Sequence, residues 1–345
     1  MKKIIFINSP YHEASFNISL EEYLVNEFHD KEHDYYILYL WQNDNSIIIG
    51  RNQNAYNECA IDKLDDYNTK LIRRNTGGGA VFHDLGNLNF SIITPKSEYN
   101  VERSIQVIIR ALSNLGLNVE YSGRNDITIN GFKFSGNAFY TNNFVGLHHG
   151  TLLINTNFEI LEKLLTVSEN KLKPKGIASV KSRVINLKEV CDSINVDILC
   201  KKLQEEFIKE YNAEEIIYYS QEHIRNIESK EELKQRVDKY SSDIWNLGEN
   251  FNFNISISER FSWGICEIRM LLKDNFIERI SIYSDSLVPE LIQHVEKKLI
   301  NLHISNISDK DKLIKAVCSD GIKENNILTD IIDLIFTRMN EGEIL

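Results

Sequence analysis

Apolar residues recur at helical spacing over residues 14–28, where Phe16, Leu20, Tyr23, Leu24 and Phe28 share one face. A short strand is predicted just ahead of them, over residues 3–8. Two β-like runs follow at residues 35–41 and 46–50, then a helical or irregular stretch and a further run at 70–74. Beyond three glycines the pattern predicts a strand over residues 80–94. Val101, Ile105, Ile108, Leu112 and Leu115 mark a second amphipathic helix, with Gly116 placed as its C-terminal stop. A hairpin over residues 126–140 and a strand over 150–155 come next, and residues 196–240 read as charged helices. The segment "SSDIWNLGENFNFN" changes composition and reads as a linker, which sets a domain boundary near residue 248. After it, residues 269–273 and 277–283 predict strands, followed by helices. The pattern describes an α/β fold with mixed, largely antiparallel sheets, in two domains at 1–248 and 249–345.

Composition narrows the function classes. A length of 345 residues suits one large domain with a smaller one, and 42% hydrophobic with 26% charged residues is ordinary for a globular protein. The net charge of −11 argues against a general nucleic-acid binder, which carries a basic footprint. No apolar run approaches the roughly 18 residues of a membrane span, and residues 4–7 are too short for a signal-peptide core. Cys59, Cys191, Cys200, Cys266 and Cys318 are odd in number and lack CxxC spacing, so neither a disulfide framework nor a zinc site is expected. These features imply a cytoplasmic protein with reduced thiols and neither a membrane nor a nucleic-acid partner.

"RRNTGGGAVFHD", residues 73–84, holds the first candidate chemistry. Three glycines can serve a turn that needs positive φ. They can equally form an anion-binding concavity, and the guanidinium forks of Arg73 and Arg74 suit phosphate or carboxylate oxygens. The loop is neither a Walker A motif, which needs Gly-Lys-Ser/Thr, nor a dinucleotide fingerprint, which opens a helix rather than a strand.

"GRNDITINGFKFSGNAFY" is a hairpin by its Asn130-Gly131 turn. Uninterrupted pairing sets Ile129 opposite Phe132, Thr128 opposite Lys133, Ile127 opposite Phe134 and Asp126 opposite Ser135. Ile127, Ile129, Phe132 and Phe134 then line a core face, and Asp126, Thr128, Lys133 and Ser135 a polar one. That face is either a solvated surface or a site where a lysine neutralises developing phosphate charge. His148 and His149 are neighbours on a strand, pointing to opposite faces, so they do not share a metal. One core and one surface histidine is the plain alternative. His83 is a lone histidine, and Trp41 ends an apolar strand where core packing is the ordinary role. Residues 171–183, "KLKPKGIASVKSR", are basic without an acidic residue, either a solvated loop or a receiver of phosphate or an acidic partner.

In order, "RRNTGGGAVFHDLGNLNFS", "GRNDITINGFKFSGNAF", "HHGTLLIN" and "KGIASVKSRVINL" resemble the lipoate–protein ligase A family of the biotin/lipoate ligase superfamily. The resemblance is close over residues 10–190 and weaker through "ERFSWGICEIRM", which is similar to the start of that family's small α/β accessory C-terminal domain. It implies a biotin/lipoate ligase-like catalytic domain and a two-step reaction. Lipoate attacks the α-phosphate of ATP to give lipoyl-AMP and pyrophosphate, and a lysine of an acceptor then takes the lipoyl group. Implied acceptors are apo lipoyl domains of 2-oxoacid dehydrogenase E2 subunits and the glycine-cleavage H protein. ATP and Mg²⁺ are implied as co-substrates, with no tightly bound cofactor.

By the same resemblance Lys133 and Asp126 are catalytic, Asp126 also being a candidate for Mg²⁺. ATP or adenylate falls to Arg74, Gly77, Gly78, Gly79, Ala80, Val81, Phe82, Lys133, Lys175, Ser179, Val180 and Arg183. Lipoate falls to Trp41, Arg74, Thr76, His83, Lys133 and His149. The linker lacks the proline often found where the accessory domain begins. The alternatives are an ATP-independent octanoyl or lipoyl transferase of the same fold and a non-catalytic lipoate- or nucleotide-binding module. Cys59, the one cysteine in the closely matched region, has no adjacent base in "NECAID" for a cysteine nucleophile.

Overall fold

Strands with apolar side chains on both faces need cover on both sides, and the first strand sets that rule. In the computed structural model, which describes residues 2–28, 34–166, 183–249, 251–307, 309–318 and 325–340, β1 (Lys2–Asn8) alternates Ile4 and Phe6 against Ile5 and Ile7, all buried. It lies parallel to β2 (Asp34–Trp41), which pairs antiparallel with β6 (Asn87–Pro95). Next come β10 (Val145–Leu153), β9 (Phe132–Thr141), β8 (Asp126–Ile129) and β7 (Glu120–Ser122), while β11 (Glu215–Tyr218) adds parallel to β1. The order of this eight-stranded sheet is β11-β1-β2-β6-β10-β9-β8-β7.

One face packs Ile4, Phe6, Leu38, Phe90, Leu152 and Phe134 against α3 (Val101–Ser113) and α5 (Val196–Tyr211). The other packs Ile5, Ile7, Tyr39, Trp41 and Ile93 against α1 (Ala14–Glu27). A second, three-stranded sheet joins β3 (Ser46–Ile49), β4 (Lys70–Arg73) and β5 (Val81–His83). Beside it lie α2 (Ala55–Glu58), α4 (Phe158–Leu164) and α8 (Asp243–Leu247), while α6 (Gln221–Glu228) and α7 (Glu231–Tyr240) join the cluster on the α1 side of the large sheet.

By its contacts the chain divides into two compact units. The first is Met1–Ile49, Ala55–Arg74 and Ala80–Leu247; the second is Gly50–Asn54, Asn75–Gly79 and Gly248–Leu345. In the second unit β12 (Ile255–Phe261), β13 (Gly264–Lys273) and β14 (Phe276–Ser284) form an antiparallel sheet. It packs Ile257, Ile268, Met270 and Ile282 against α9 (Pro289–Leu299), α10 (Ile304–Ile307), α11 (Lys310–Val317) and α12 (Asn326–Asn340).

Several sequence expectations change. The run at residues 80–94 is two strands in different sheets, separated where the Asp84 carboxylate accepts from the backbone N–H of Gly86 at 2.9 Å and of Asn157 at 2.7 Å. A side chain at Gly86 would strike the Asn155 carbonyl, so "HDLGN" is a turn with its own structural demands. Strand β11 interrupts the predicted charged helices, because a half-exposed edge strand carries no clear alternation. Part of the "linker" is the helix α8.

Helices α3 and α5 are joined by Arg103 and Arg110 on one side and Glu206 and Glu210 on the other. Burial alone would push the Glu206 carboxyl up, but Lys209, Asn114 and Arg110 outweigh it and hold it below the usual range. A carboxylate with a depressed folded pKa stabilises above its unfolded value of about 4.3, and that contribution is lost as pH falls through the folded value. Glu206→Gln is therefore expected to cost about 2 kcal/mol near neutral pH. The deficit in thermal unfolding midpoint should shrink on acidification below that range; an equal deficit in acid would contradict the ion-pair account.

Candidate active site

Alternation across the large sheet creates a polar row on the α1 side. Trp41 stands beside Asn89 and Tyr39 beside Ser91. Asn89 stands beside Thr151 and Ser91 beside His149. His149 faces Ala138 on β9, and Gly136, two residues back, stands beside Asp126. Thr151 Oγ1 accepts from the Gly136 N–H at 3.1 Å, which ties the row together. The intervening residues Phe90, Leu152 and Leu88 belong to the opposite core.

At one end of the row Glu21, on the buried face of α1, organises three side chains. Ser91 Oγ donates to its carboxylate at 2.5 Å and accepts from Trp41 Nε1 at 3.1 Å. His149 Nδ1 lies 2.8 and 3.0 Å from its two oxygens. The sequence reading passed over Glu21, Ser91, Asn87, Asn89 and Thr151. The available signals were a glutamate on an apolar helix face and polar residues at every second position of "NLNFS". Asn87 Nδ2 donates to Asn89 Oδ1 at 2.8 Å, yet Asn87 Oδ1, Asn89 Nδ2 and His83 Nε2 are buried with no hydrogen-bond partner among the described residues. Buried polar atoms are ordinarily paired, so three such atoms in one region are a reason to expect a ligand.

His148 and His149 point to opposite faces as expected, but both are buried, so neither is a surface histidine. His148 lies between Phe90 and Phe139, with Nδ1 and Nε2 each 2.8 Å from Ser104 Oγ and Asn137 Oδ1. Burial, with His149 beside it, lowers its pKa to about 3, a core histidine held neutral.

The hairpin has its expected turn, with Asn130 at φ 52° and Gly131 at φ 81°, but not its expected register. Ile129 faces Phe132 and Thr128 faces Lys133; then Ile127 faces Ser135 and Asp126 faces Gly136, leaving Phe134 as the extra residue of a bulge. Phe134 and Ser135 are both fully buried, and Phe132 is exposed rather than core. The bulge aims Lys133 Nζ over Gly136 and to within 2.7 Å of Asp126 Oδ1. Lys133 is also held by its backbone: its N–H donates to the Arg183 carbonyl at 2.8 Å, and its carbonyl accepts from Ile185 at 3.0 Å. Arg183 is thereby brought beside Lys133. Lys175, Ser179 and Val180 lie outside the described residues.

The two arginines of the glycine motif separate in role. Arg73 spends its guanidinium on the carbonyls of Trp245, Asn246 and Leu247 at 3.1, 2.9 and 3.3 Å, capping the C-terminal end of α8. It is not a phosphate fork. Arg74 Nη1 donates to the Ile48 carbonyl at 3.0 Å. Burial lowers its pKa to about 10, with the Glu21 carboxylate opposing, so it remains a cation at neutral pH. Burial pushes the adjacent His83 down to about 3, with Arg74 and His149 adding to the effect. Phe82 is a core ring among Ile47, Ile49 and Leu164, with Ala80 packed beside that cluster, and Val81 packs toward the α1 side. Any ligand contact from Phe82 therefore comes from its backbone.

The glycines belong by contact to the second unit, together with Thr76, whose carbonyl accepts from Arg51 N–H at 2.9 Å. A Cβ at Gly77 would sit 2.0 Å from the Ser286 carbonyl oxygen, and Gly78 has φ 91° and donates to that same oxygen at 3.1 Å. At Gly79 an added Cβ meets nothing within 4 Å.

A family model described as the lipoyl protein ligase A/B catalytic domain matches residues 13–208, and one described as the bacterial lipoate protein ligase C-terminus matches residues 250–335. Lipoate-protein ligase A of Blochmanniella floridana is 38% identical over 315 residues, covering 89% of this chain and 90% of the relative. The chain belongs to the lipoate–protein ligase A family. Lipoate-protein ligase A of Psychrobacter cryohalolentis is 36% identical over 305 residues, covering 87% of this chain and 88% of the relative. The crystal structure of P. falciparum LipL1 in complex with lipoate matches with a TM-score of 0.84 at 31% identity, covering 98% of this chain and 100% of that one.

In a lipoate–protein ligase A the glycine loop gives a clean contrast. Gly77→Ala is expected to lower the unfolding midpoint, by about 1–3 kcal/mol of overpacking. Gly79→Ala should leave the midpoint unchanged while raising KM for ATP, measured by pyrophosphate release. An unchanged KM would mean that the bare third glycine serves no nucleotide.

Proposed function

We propose that the chain joins lipoate to protein lysines at the cost of ATP, with the polar row from Trp41 to Lys133 as its active site. The observation that carries this reading is the Lys133 ammonium, aimed by a bulge over a glycine and beside Asp126, at the open end of a row that starts at a tryptophan. A hydrocarbon acyl tail suits the end walled by Trp41 and His149, and its carboxylate then lies toward the cations Arg74 and Lys133. In the first step a carboxylate oxygen bonds to the α-phosphorus of ATP and the bond to pyrophosphate breaks. Lys133 offsets the negative charge that gathers on the phosphorus oxygens. In the second, an acceptor lysine amine forms the C–N bond, AMP leaves with the electrons of the acyl–oxygen bond, and the amine loses a proton.

Mg²⁺ enters in this reading with the nucleotide. Among the described residues no group of three or more His, Cys, Asp or Glu side chains could cage a metal, and Mg²⁺ is commonly held by substrate phosphates, waters and one or two carboxylates. Asp126 is the carboxylate suited to that place. Arg183, beside Lys133, is suited to the phosphate. Apo lipoyl domains and the glycine-cleavage H protein are the acceptors we propose. A neighbour in fold, from Thermoplasma acidophilum and 24% identical with a TM-score of 0.61, is described as a bipartite lipoate protein ligase and its E2 lipoyl domain. The cytoplasm, which supplies ATP, is the proposed setting; no helix of the described residues is long and apolar enough to cross a membrane.

The catalytic-domain model covers ligases A and B alike, so the C-terminal match and the relatives' names are what favour the ATP-dependent reaction over acyl transfer. Cys59 is buried and bridged to Leu165, a poor nucleophile by access. Purified protein with ATP, Mg²⁺, lipoate and an apo acceptor domain should lipoylate the acceptor and release pyrophosphate. Lys133→Ala should lower the rate by about 10²–10³-fold or more, and Cys59→Ala should leave it unchanged. Transfer from an acylated carrier without ATP would replace the ligase reading with the transferase.

A further inference from the structure

The orphan nitrogen of His83 follows from a chain of donors and acceptors that begins on backbone. Asn17, fully buried on α1, places Nδ2 3.0 Å from the carbonyls of both Tyr11 and Gln42. Carbonyls only accept, so the amide cannot be turned round; Tyr39 Oη donates to Asn17 Oδ1 at 2.8 Å from the other side. Asn43 Oδ1 lies 2.9 Å from Asn17 Nδ2, whose two protons are shared among three acceptors. A donor-only atom there requires the oxygen of Asn43 to face it, which leaves Nδ2 of the fully buried Asn43 facing His83 Nδ1 at 3.1 Å. A donor facing Nδ1 requires a lone pair there, so the ring proton of a neutral His83 sits on Nε2. That atom is buried and has no hydrogen-bond partner among the described residues. Its ring stands edge-on to Trp41 at 5.9 Å between centroids, with Arg74 and His149 as the neighbouring charges it senses.

We propose that His83 is a neutral Nε2–H donor to an oxygen of the bound acyl substrate, and that Asn17 and Asn43 are positioning residues that hold it in that tautomer. The inference rests on the ligase reading for the identity of the substrate. Its chemical logic is that the carboxylate must stay an unprotonated nucleophile. At this site, where burial lowers the ring pKa to about 3, an imidazolium would be a stronger acid than the carboxylic acid and would surrender its proton to the carboxylate. A neutral imidazole instead donates a hydrogen bond and keeps the proton, a use of neutral histidine known from other active sites. Placing Arg74 beside the ring serves the same end, since a cation disfavours a second positive charge. Asn17 is a hub rather than a ligand: Ser9 Oγ also lies 2.6 Å from its Oδ1, so five polar groups fix one side chain whose only outward effect is on Asn43.

The test is a long-range proton–nitrogen correlation spectrum of the full chain labelled with nitrogen-15 histidine, with His83 assigned by its loss in His83→Gln. The unliganded wild type should show a neutral Nε2–H ring at neutral pH. Asn43→Asp presents an acceptor to Nδ1 and should move the proton there, lowering kcat/KM for lipoate by roughly 10- to 100-fold. His83→Gln, whose amide carries an N–H near the Nε2 position, should recover activity that His83→Leu lacks. A wild-type ring protonated on Nδ1, or doubly protonated, overturns the proposal whatever the activity. An Asn43→Asp chain with the proton still on Nε2 overturns the relay, and a moved proton with unchanged kcat/KM overturns the donor role. Because the tautomer is read without substrate, failure of the relay and failure of the ligase reaction are seen separately; an Nε2–H ring in a chain that ligates nothing also overturns the donor role.

Discussion

The burial of a polar row beneath α1 is the constraint on which this catalytic unit depends. Strands β2, β6, β10 and β9 must fill an apolar core on one side, and period-two alternation then commits every second residue to the other. Where that other side is also covered, each polar side chain needs a partner or costs free energy. Glu21 meets that demand for Ser91, and through it for Trp41, and for His149; Thr151 meets it for the Gly136 amide. On this side of the sheet atoms of Asn87, Asn89 and His83 are left over, as are atoms of Tyr36, Thr94 and Thr156 elsewhere among the described residues. What sets the first three apart is that Asn89 and His83 both adjoin Trp41.

The triple glycine illustrates how one motif can answer to several forces. Gly77 is bare because the Ser286–Leu287 backbone passes too close for a Cβ, and Gly78 because its φ is positive. Gly79 meets neither demand. The arginine pair divides in the same way: Arg73 satisfies the otherwise unpaired carbonyls at the end of α8, and Arg74 is the buried cation that senses Glu21.

Much of this was legible in the residues. The short apolar runs gave β1, β2 and β3, the apolar stripe gave α1 and α3, and Asn130-Gly131 marked the hairpin turn. The bulge was not legible, since one extra residue at Phe134 leaves no mark in composition and yet moves Ser135 opposite Ile127 and into the interior. Nor was the split between β5 and β6 read, although the polar residues and Gly86 of "HDLGN" mark the turn at which the chain passes from one sheet to another. Of the site, the ordered motifs led to Lys133, Asp126, Trp41, Arg74, His83 and His149. Glu21 stayed hidden because its partners Ser91 and His149 come from strands far along the chain, and Asn17 because its partners at Tyr11, Tyr39, Gln42 and Asn43 lie on segments that only the fold brings to α1.

The electrostatics of the row follow from the same geometry. Arg74 is buried at a cost that lowers its pKa, and Glu21 is the anion that offsets it. Glu21 is already engaged by Ser91 and His149, so it shares its charge among several donors. A substrate carboxylate entering the row would stand near the Arg74 cation, which favours the ionised acid over the neutral one. The two histidines pushed to about 3 contribute no competing positive charge at neutral pH. Burial that costs free energy in the folded chain thus has a second consequence, because the same desolvation that lowers Arg74 strengthens its pull on any carboxylate that reaches it.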